Sequence, residues 1–195
     1  MSKAVMISIK PEWCELIAKG EKTLEIRKTA PKLGTPFKCY IYCTLKGSNE
    51  FFKENLNGDI AKWNKGNWGN KKGKVIGEFI CDGFHWFGVP YPAFQNEMDK
   101  EILKRSCCEY YPLHRYAHHD ALVGWSISNL VIYDKPKELS EFNKPFPFSD
   151  FCLGCEINQR SHKGYNKEYC GSCDQFKPKI KRPPQSWLYV EELNE

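Results

Sequence analysis

The sequence predicts an α+β fold, a mixed set of strands bent into a β-barrel and flanked by helices. Three observations carry this expectation. Apolar and polar residues alternate in several separate stretches, the pattern of half-buried strands. Between them lie short segments with the period and end signals of helices. One strand-like stretch, Lys74 to Trp86, is long and carries Gly77 and Gly83, where bulges or bends serve barrel closure.

Val5, Ile7 and Ile9 alternate with Met6, Ser8 and Lys10, which predicts a first strand with one buried face. A helix follows from Pro11 to Lys19. Pro11 suits its first position, Trp13, Leu16 and Ile17 share one side, and Gly20 stands where a left-handed residue ends a helix. A strand from Lys22 to Lys28 leads to a turn at Pro31 and Gly34. The third strand is Phe37 to Thr44, whose second face bears Tyr40 and Tyr42. Between Leu45 and Lys72 the composition is that of a loop, rich in Gly, Asn and Lys and holding Trp63 and Trp68.

After the bent strand, helices are predicted over Gln95 to Lys104 and around Pro112 to Leu122. A strand over Val123 to Tyr133 and a helical turn over Pro136 to Phe142 come next. A Pro- and Phe-rich connector, Lys144 to Phe148, leads into a cysteine cluster, and the chain closes with a strand from Ser186 to Val190. No internal repeat is visible.

With 195 residues, the chain is expected to form a single domain, 1–195, carrying one small insertion. Hydrophobic residues make up 41% and aromatics 14%, too much apolar surface for a disordered chain. The net charge of +5 mildly favours polyanionic partners without reaching the range of strongly basic nucleic-acid binders. The apolar run from Ala4 to Ile9 is too short to span a membrane and lacks the pattern of a cleavable signal, so a cytoplasmic protein without a membrane partner is expected.

Ten cysteines then need an account other than disulfides. Cys14, Cys39, Cys43 and Cys81 fall on predicted apolar faces and read as small buried hydrophobes. Cys152 and Cys155, then Cys170 and Cys173, form two C-x-x-C pairs separated by fourteen residues, close to the spacing of four-cysteine zinc sites. Gly154 and Gly171-Ser172 allow the tight turns such a site needs. The expected cofactor is a structural Zn(2+) in an insertion over residues 149–182. With four sulfur ligands it is closed to substrate, and its surface is a second place for a protein partner to dock. The plain alternative is two pairs of free or redox-active thiols. His114 and His118, at i and i+4, lack the intervening Glu of zinc hydrolases and, with His119, read as ordinary polar residues.

The densest polar chemistry lies in Gly20 to Arg27. On a strand, Thr23, Glu25 and Arg27 share one face while Leu24 and Ile26 take the other. A solvated ion pair is the plain reading of such a cluster. The functional one is a nucleotide site. Arg27 offers a planar fork to phosphate or a base edge, Glu25 accepts hydrogen from an exocyclic amine, and Lys22 supplies a charge. Lys10 and Lys28 flank the stretch, and Tyr42 and Trp125 are candidate stacking walls.

Gly20, Lys22, Glu25 and Arg27 fit the pattern Gly-x-Lys-x-x-Glu-x-Arg, placed after a strand and a helix that begins Ile9-Lys10-Pro11. With Val75-Ile76-Gly77-Glu78-Phe79, Gly124-Trp125-Ser126-Ile127 and the closing Pro183 to Val190, this resembles the ASCH domain family of the PUA-like superfamily. The resemblance covers most of the chain, leaving out the loop after Leu45 and the cysteine segment. It implies a PUA-like mixed β-barrel with the motif lining a cleft beside it, and RNA or a modified nucleoside as partner.

Some members are similar to hydrolases that remove an acyl group from the exocyclic nitrogen of cytidine. There a Lys at the motif position activates a Thr nucleophile, assisted by a distant Glu. Lys22 matches that Lys, but Glu25 stands where the Thr would be, and a carboxylate is a less usual acyl acceptor. Glu78 and Glu109 are candidates for the distant carboxylate. The expected function is therefore binding of RNA or a modified nucleoside by Lys10, Lys22, Glu25, Arg27, Tyr42, Glu78 and Trp125. The enzymatic alternative is an amidohydrolase or ribonuclease using Lys22 and Glu25.

Overall fold

β1 (Lys3–Ile9) is an inner strand, paired in parallel with β3 (Phe37–Cys43) and antiparallel with β8 (Trp187–Glu191). Flanked on both edges, it is buried from Ala4 to Ile9 on both faces rather than on the one face its alternation predicts. The computed structural model describes residues 2–45, 71–89, 97–145 and 179–193. Cys152, Cys155, Cys170 and Cys173, together with Trp63 and Trp68, lie outside the described residues.

α1 (Pro11–Ala18) follows β1 at once, with proline in its first turn. Its end is a Schellman turn. Gly20, at φ 75°, sends its N–H to Ile17 O, and Glu21 sends its own to Leu16 O. Lys22 N also bonds Leu16 O, so the helix end itself delivers Lys22 to the start of β2 (Leu24–Arg27).

β4 (Val75–Cys81) pairs with β3 and with β7 (Ser128–Lys137), giving a five-stranded sheet in the order β7-β4-β3-β1-β8. A second sheet has the order β2-β6-β5, with β5 at Phe84–Phe87 and β6 at Leu122–Ser126. The bent strand expected over Lys74 to Trp86 is thus β4 and β5, broken at Asp82 and Gly83. Likewise, the strand expected from Val123 breaks at Ile127 into β6 and β7. The paired strands turn this corner together, fastened by Ser126 N to Gly83 O and Ile127 N to Thr23 O. Gly77 is required at the irregular β4–β7 register, because a Cβ there would meet Val131 O at 2.3 Å.

The closed barrel is corrected to these two sheets. Among the described residues no ladder joins β2 to β1, and the opening between them is what the site occupies.

Among the described residues, three cores hold the sheets. The first, between them, includes Ile7, Cys14, Cys39, Cys43, Cys81 and Trp125, so the four predicted thiols are buried as expected. The second, on the far face of the larger sheet, gathers Met6, Tyr40, Tyr42, Phe142, Ile180 and Val190. In the third, Leu24, Ile26, Phe87 and Leu122 meet Ile102 of α2 (Glu97–Ser106) and Leu113 of α3 (Tyr110–Ala117). Each fully buried aliphatic side chain contributes about 1.5–3 kcal/mol. The third core matters most here, since it presses Leu24 and Ile26 against the helices and turns Glu25 and Arg27 the other way.

α3 ends at His118, which is left-handed at φ 49°. His114 and His118 therefore share no continuing helical face, and no group of three or more potential metal ligands occurs among the described residues. No described helix is long and apolar enough to cross a membrane.

Candidate functional site: a buried Lys-Glu-Arg cluster in an open cavity

A cavity of about 360 Å³ opens between the ends of β1 and β2, walled by the start of α1 and by Cys107 to Tyr116. Lys22, Glu25 and Arg27 all line it, and the structure brings these three predicted residues into one place. They are buried despite their charge: Lys22 is 2% exposed and Glu25 6%. The carboxylate of Glu25 lies between its two cations. Its Oε2 is 3.4 Å from Lys22 Nζ and its Oε1 is 2.9 Å from Arg27 Nη2.

Each cation is also fixed by backbone oxygen. Lys22 Nζ donates to Leu24 O at 2.9 Å and to Ser106 O at 2.7 Å, and lies 4.8 Å from the centre of the Trp13 ring. Its three donors are therefore all directed at acceptors within the protein. Ser106 ends α2, where unsatisfied carbonyls and the helix dipole favour a cation. Thr23 N bonds Arg105 O at 2.9 Å and Cys107 Sγ donates to Glu21 O at 3.5 Å, so the end of α2 grips the whole turn from Glu21 to Thr23.

Arg27 Nη2 donates to Ser8 O at 2.6 Å across the gap between β2 and β1. Ser8 is held in turn by its Oγ donating to Pro184 O at 2.6 Å and its N–H donating to Ser186 O at 2.9 Å. Arg27 Nε is buried and has no hydrogen-bond partner among the described residues. It is sealed from the open cavity as well, so the rest of the guanidinium is what a ligand there can reach.

Among the described residues the cavity lining carries three cations, Lys10, Lys22 and Arg27, against three carboxylates, Glu12, Glu25 and Glu109. This is a charge-balanced pocket rather than a polyanion groove. Trp13 and Tyr116 supply its aromatic surface. Tyr116 is 43% exposed, and burial of its phenol pushes the pKa up, with Arg27 pulling the other way. The thiols of Cys107 and Cys108 also line the cavity. Burial raises the pKa of both against the opposing pull of Lys22, which keeps them as neutral thiols.

Of the other predicted site residues, Lys10 lies at the exposed rim and Glu109 lines the cavity, while three do not line it. Tyr42 is packed in the second core, on the opposite face of the large sheet. Glu78 projects from that sheet and is committed to Lys38 at 3.0 Å and to the Tyr133 hydroxyl. Trp125 points the same way as Glu25 but is fully buried, ringed by Phe37, Phe84 and Trp187 at 5.7 to 6.1 Å between ring centres. No base can stack on it. Trp13, Tyr116 and the two cysteines went unseen in the sequence because no period distinguishes an aromatic at a cavity wall from one in the core.

No family model matches the chain, and no curated protein does. Among solved structures the chain is similar to those of the ASCH protein of Zymomonas mobilis. A tyrosine-to-phenylalanine variant of that protein is 13% identical, with a TM-score of 0.48 over 98% of this chain and 92% of the other. A serine-to-alanine variant is 14% identical, with a TM-score of 0.47 over 97% and 89%. A third structure of that protein gives 14% and 0.44 over 97% and 88%. At these scores the likeness carries no functional weight.

Proposed function

We propose that the cavity binds a nucleobase, presented by an unpaired residue of RNA or by a free modified nucleoside. The observation that carries this reading is the buried Lys22-Glu25-Arg27 cluster at the wall of a cavity of about 360 Å³. The accessible part of the Arg27 guanidinium is the donor for a ring carbonyl, Glu25 and Glu109 accept from an exocyclic amine, and Trp13 and Tyr116 offer π-surface to a planar ring. Balanced lining charge suits an uncharged base, with any phosphate outside.

The hydrolase reading, an amidohydrolase or ribonuclease using Lys22 and Glu25, finds less support. A general base needs a free lone pair, whereas Lys22 directs every donor at an acceptor and Glu25 is held by two cations. Calorimetric titration with cytidine, N4-acetylcytidine and other nucleosides tests binding. Tyr116→Ala and Arg27→Gln are each expected to weaken it at least about tenfold, the equivalent of 1.4 kcal/mol. Equal affinity in both variants overturns the reading. Release of acetate from N4-acetylcytidine that Lys22→Ala abolishes replaces it with the hydrolase.

We further propose a structural Zn(2+) on Cys152, Cys155, Cys170 and Cys173, supported by their spacing. Metal analysis of the purified protein tests it, and a zinc-free preparation whose stability ignores chelator contradicts it.

A further inference from the structure

A second polar cluster lies beside Lys22 but on the other side of the small sheet. Ser126 pairs across the ladder with Leu24, whose side chain faces the helices, so Ser126 faces them too. Over it lies Arg105 of α2. Arg105 Nη2 reaches Ser126 Oγ at 3.4 Å and Thr23 O at 3.5 Å, and its Nε reaches Thr23 Oγ1 at 3.4 Å. From β5, His85 Nε2 lies 3.0 Å from Ser126 Oγ. None of these four residues lines the cavity.

The composition of the cluster is one-sided. It gathers a guanidinium, an imidazole and two hydroxyls, and among the described residues no carboxylate pairs with Arg105. Even Glu101, one helical turn earlier, does not. A half-buried guanidinium normally has an anionic partner, since removing charge from water is costly without one. The contacts Arg105 does make are longer than the roughly 2.9 Å of a well-formed bond. Nη1 donates to no described residue, and His85 is exposed, which leaves the cluster open on the solvent side.

We propose that Arg105, His85, Ser126 and Thr23 form a binding site for a tetrahedral oxyanion of the phosphate class. Arg105 supplies the charge and a planar pair of donors, and the imidazole and hydroxyls supply donors from a second direction. The anion is either free phosphate or a phosphodiester of a nucleic-acid strand. The site rests on its own geometry and stands whether or not the cavity binds a base.

Thermal unfolding of the full chain, followed in phosphate, acetate and chloride at matched ionic strength, tests the proposal. Phosphate is expected to raise the midpoint above both other salts, and Arg105→Gln to weaken the fitted phosphate affinity at least about tenfold. His85→Ala, at an exposed position, is expected to weaken it severalfold and serves as the test if Arg105→Gln fails to fold. Equal effects of phosphate and chloride, equal effects of phosphate and acetate, or an unchanged response in His85→Ala overturns the proposal. A short single-stranded oligonucleotide then separates the sources. Tighter binding than inorganic phosphate, lost in His85→Ala, assigns a phosphodiester, and competition by inorganic phosphate alone assigns the free anion.

Discussion

Arg27 spans to Ser8 where no backbone ladder does. Its Nη2, 2.6 Å from Ser8 O and 2.9 Å from Glu25 Oε1, ties the edge of the small sheet to an inner strand of the large one. Arg27→Lys keeps the charge but not the fork, and one ammonium on a flexible stem does not reproduce both contacts. The expected loss is about 1.5–3 kcal/mol, the worth of a hydrogen bond to a charged group. Urea unfolding measures it, and an unchanged midpoint and slope show that the span carries no load.

Glu25 is the hinge of the cluster's charge balance. Glu25→Ala leaves Lys22 and Arg27 buried without their shared counter-ion and is expected to cost about 3–5 kcal/mol. Lys22→Met alone also destabilises, because Leu24 O and Ser106 O lose their donor. The double variant Lys22→Met with Glu25→Leu is expected to lose less than the sum of its parts. A double-mutant cycle by chemical denaturation reads the coupling, and strict additivity contradicts a shared cluster.

The alternation of Glu25 and Arg27 with Leu24 and Ile26 made the working face of β2 legible, because a strand has only two sides and helices cover one; Thr23, expected on that face, precedes the strand and turns its hydroxyl to Arg105 on the helix side instead. The Pro11 and Gly20 signals likewise defined α1. What stayed hidden depends on contacts distant in sequence. The alternation in β1 predicts one buried face, yet parallel pairing with β3 and a second core beneath bury both. Tyr42 and Trp125 carry the right rings for stacking, and only the packing of Phe142 and Trp187 around them shows that they are unavailable. Ser106, the acceptor for Lys22, lies 84 residues away in the chain and no local pattern announces it.

Buried thiols give the fold an alkaline limit. Burial pushes Cys81 up to about 12 from 9.0 and raises Cys14 and Cys39 as well. Each raised group contributes stability that is complete below its unfolded pKa and is lost as pH rises through the folded one, because the unfolded chain releases its proton first. Stability is therefore expected to fall from about pH 9 toward 12. Cys81→Ala is expected to flatten that fall by up to about 1.4 kcal/mol per pH unit. Denaturation at a series of alkaline pH values checks the slope, and identical slopes in parent and variant contradict the assignment.

The described chain on either side of residues 146–178 meets at one point. Asn143 and Lys179 form an antiparallel bridge, and Ile180 N donates to Phe142 O at 2.9 Å. Replacing residues 146–178 by a short Gly/Ser linker is thus expected to leave a cooperatively folded domain with its nucleoside affinity intact. Circular dichroism melting and calorimetry check this. Loss of the cooperative transition would show that residues 146–178 are needed for folding and would contradict the proposal that they are an insertion.

The proposed entry of a base into the cavity beside Lys22, Glu25 and Arg27 is open to direct observation. Nuclear magnetic resonance mapping of an added nucleoside tests it most directly. Signals of the Arg27 side chain, the Trp13 indole and the Tyr116 ring are expected to shift together and saturably, while those of Tyr42 and the ring of Tyr40 in the second core stay in place. Saturable shifts confined to residues outside the cavity, or none at millimolar nucleoside, contradict base binding there.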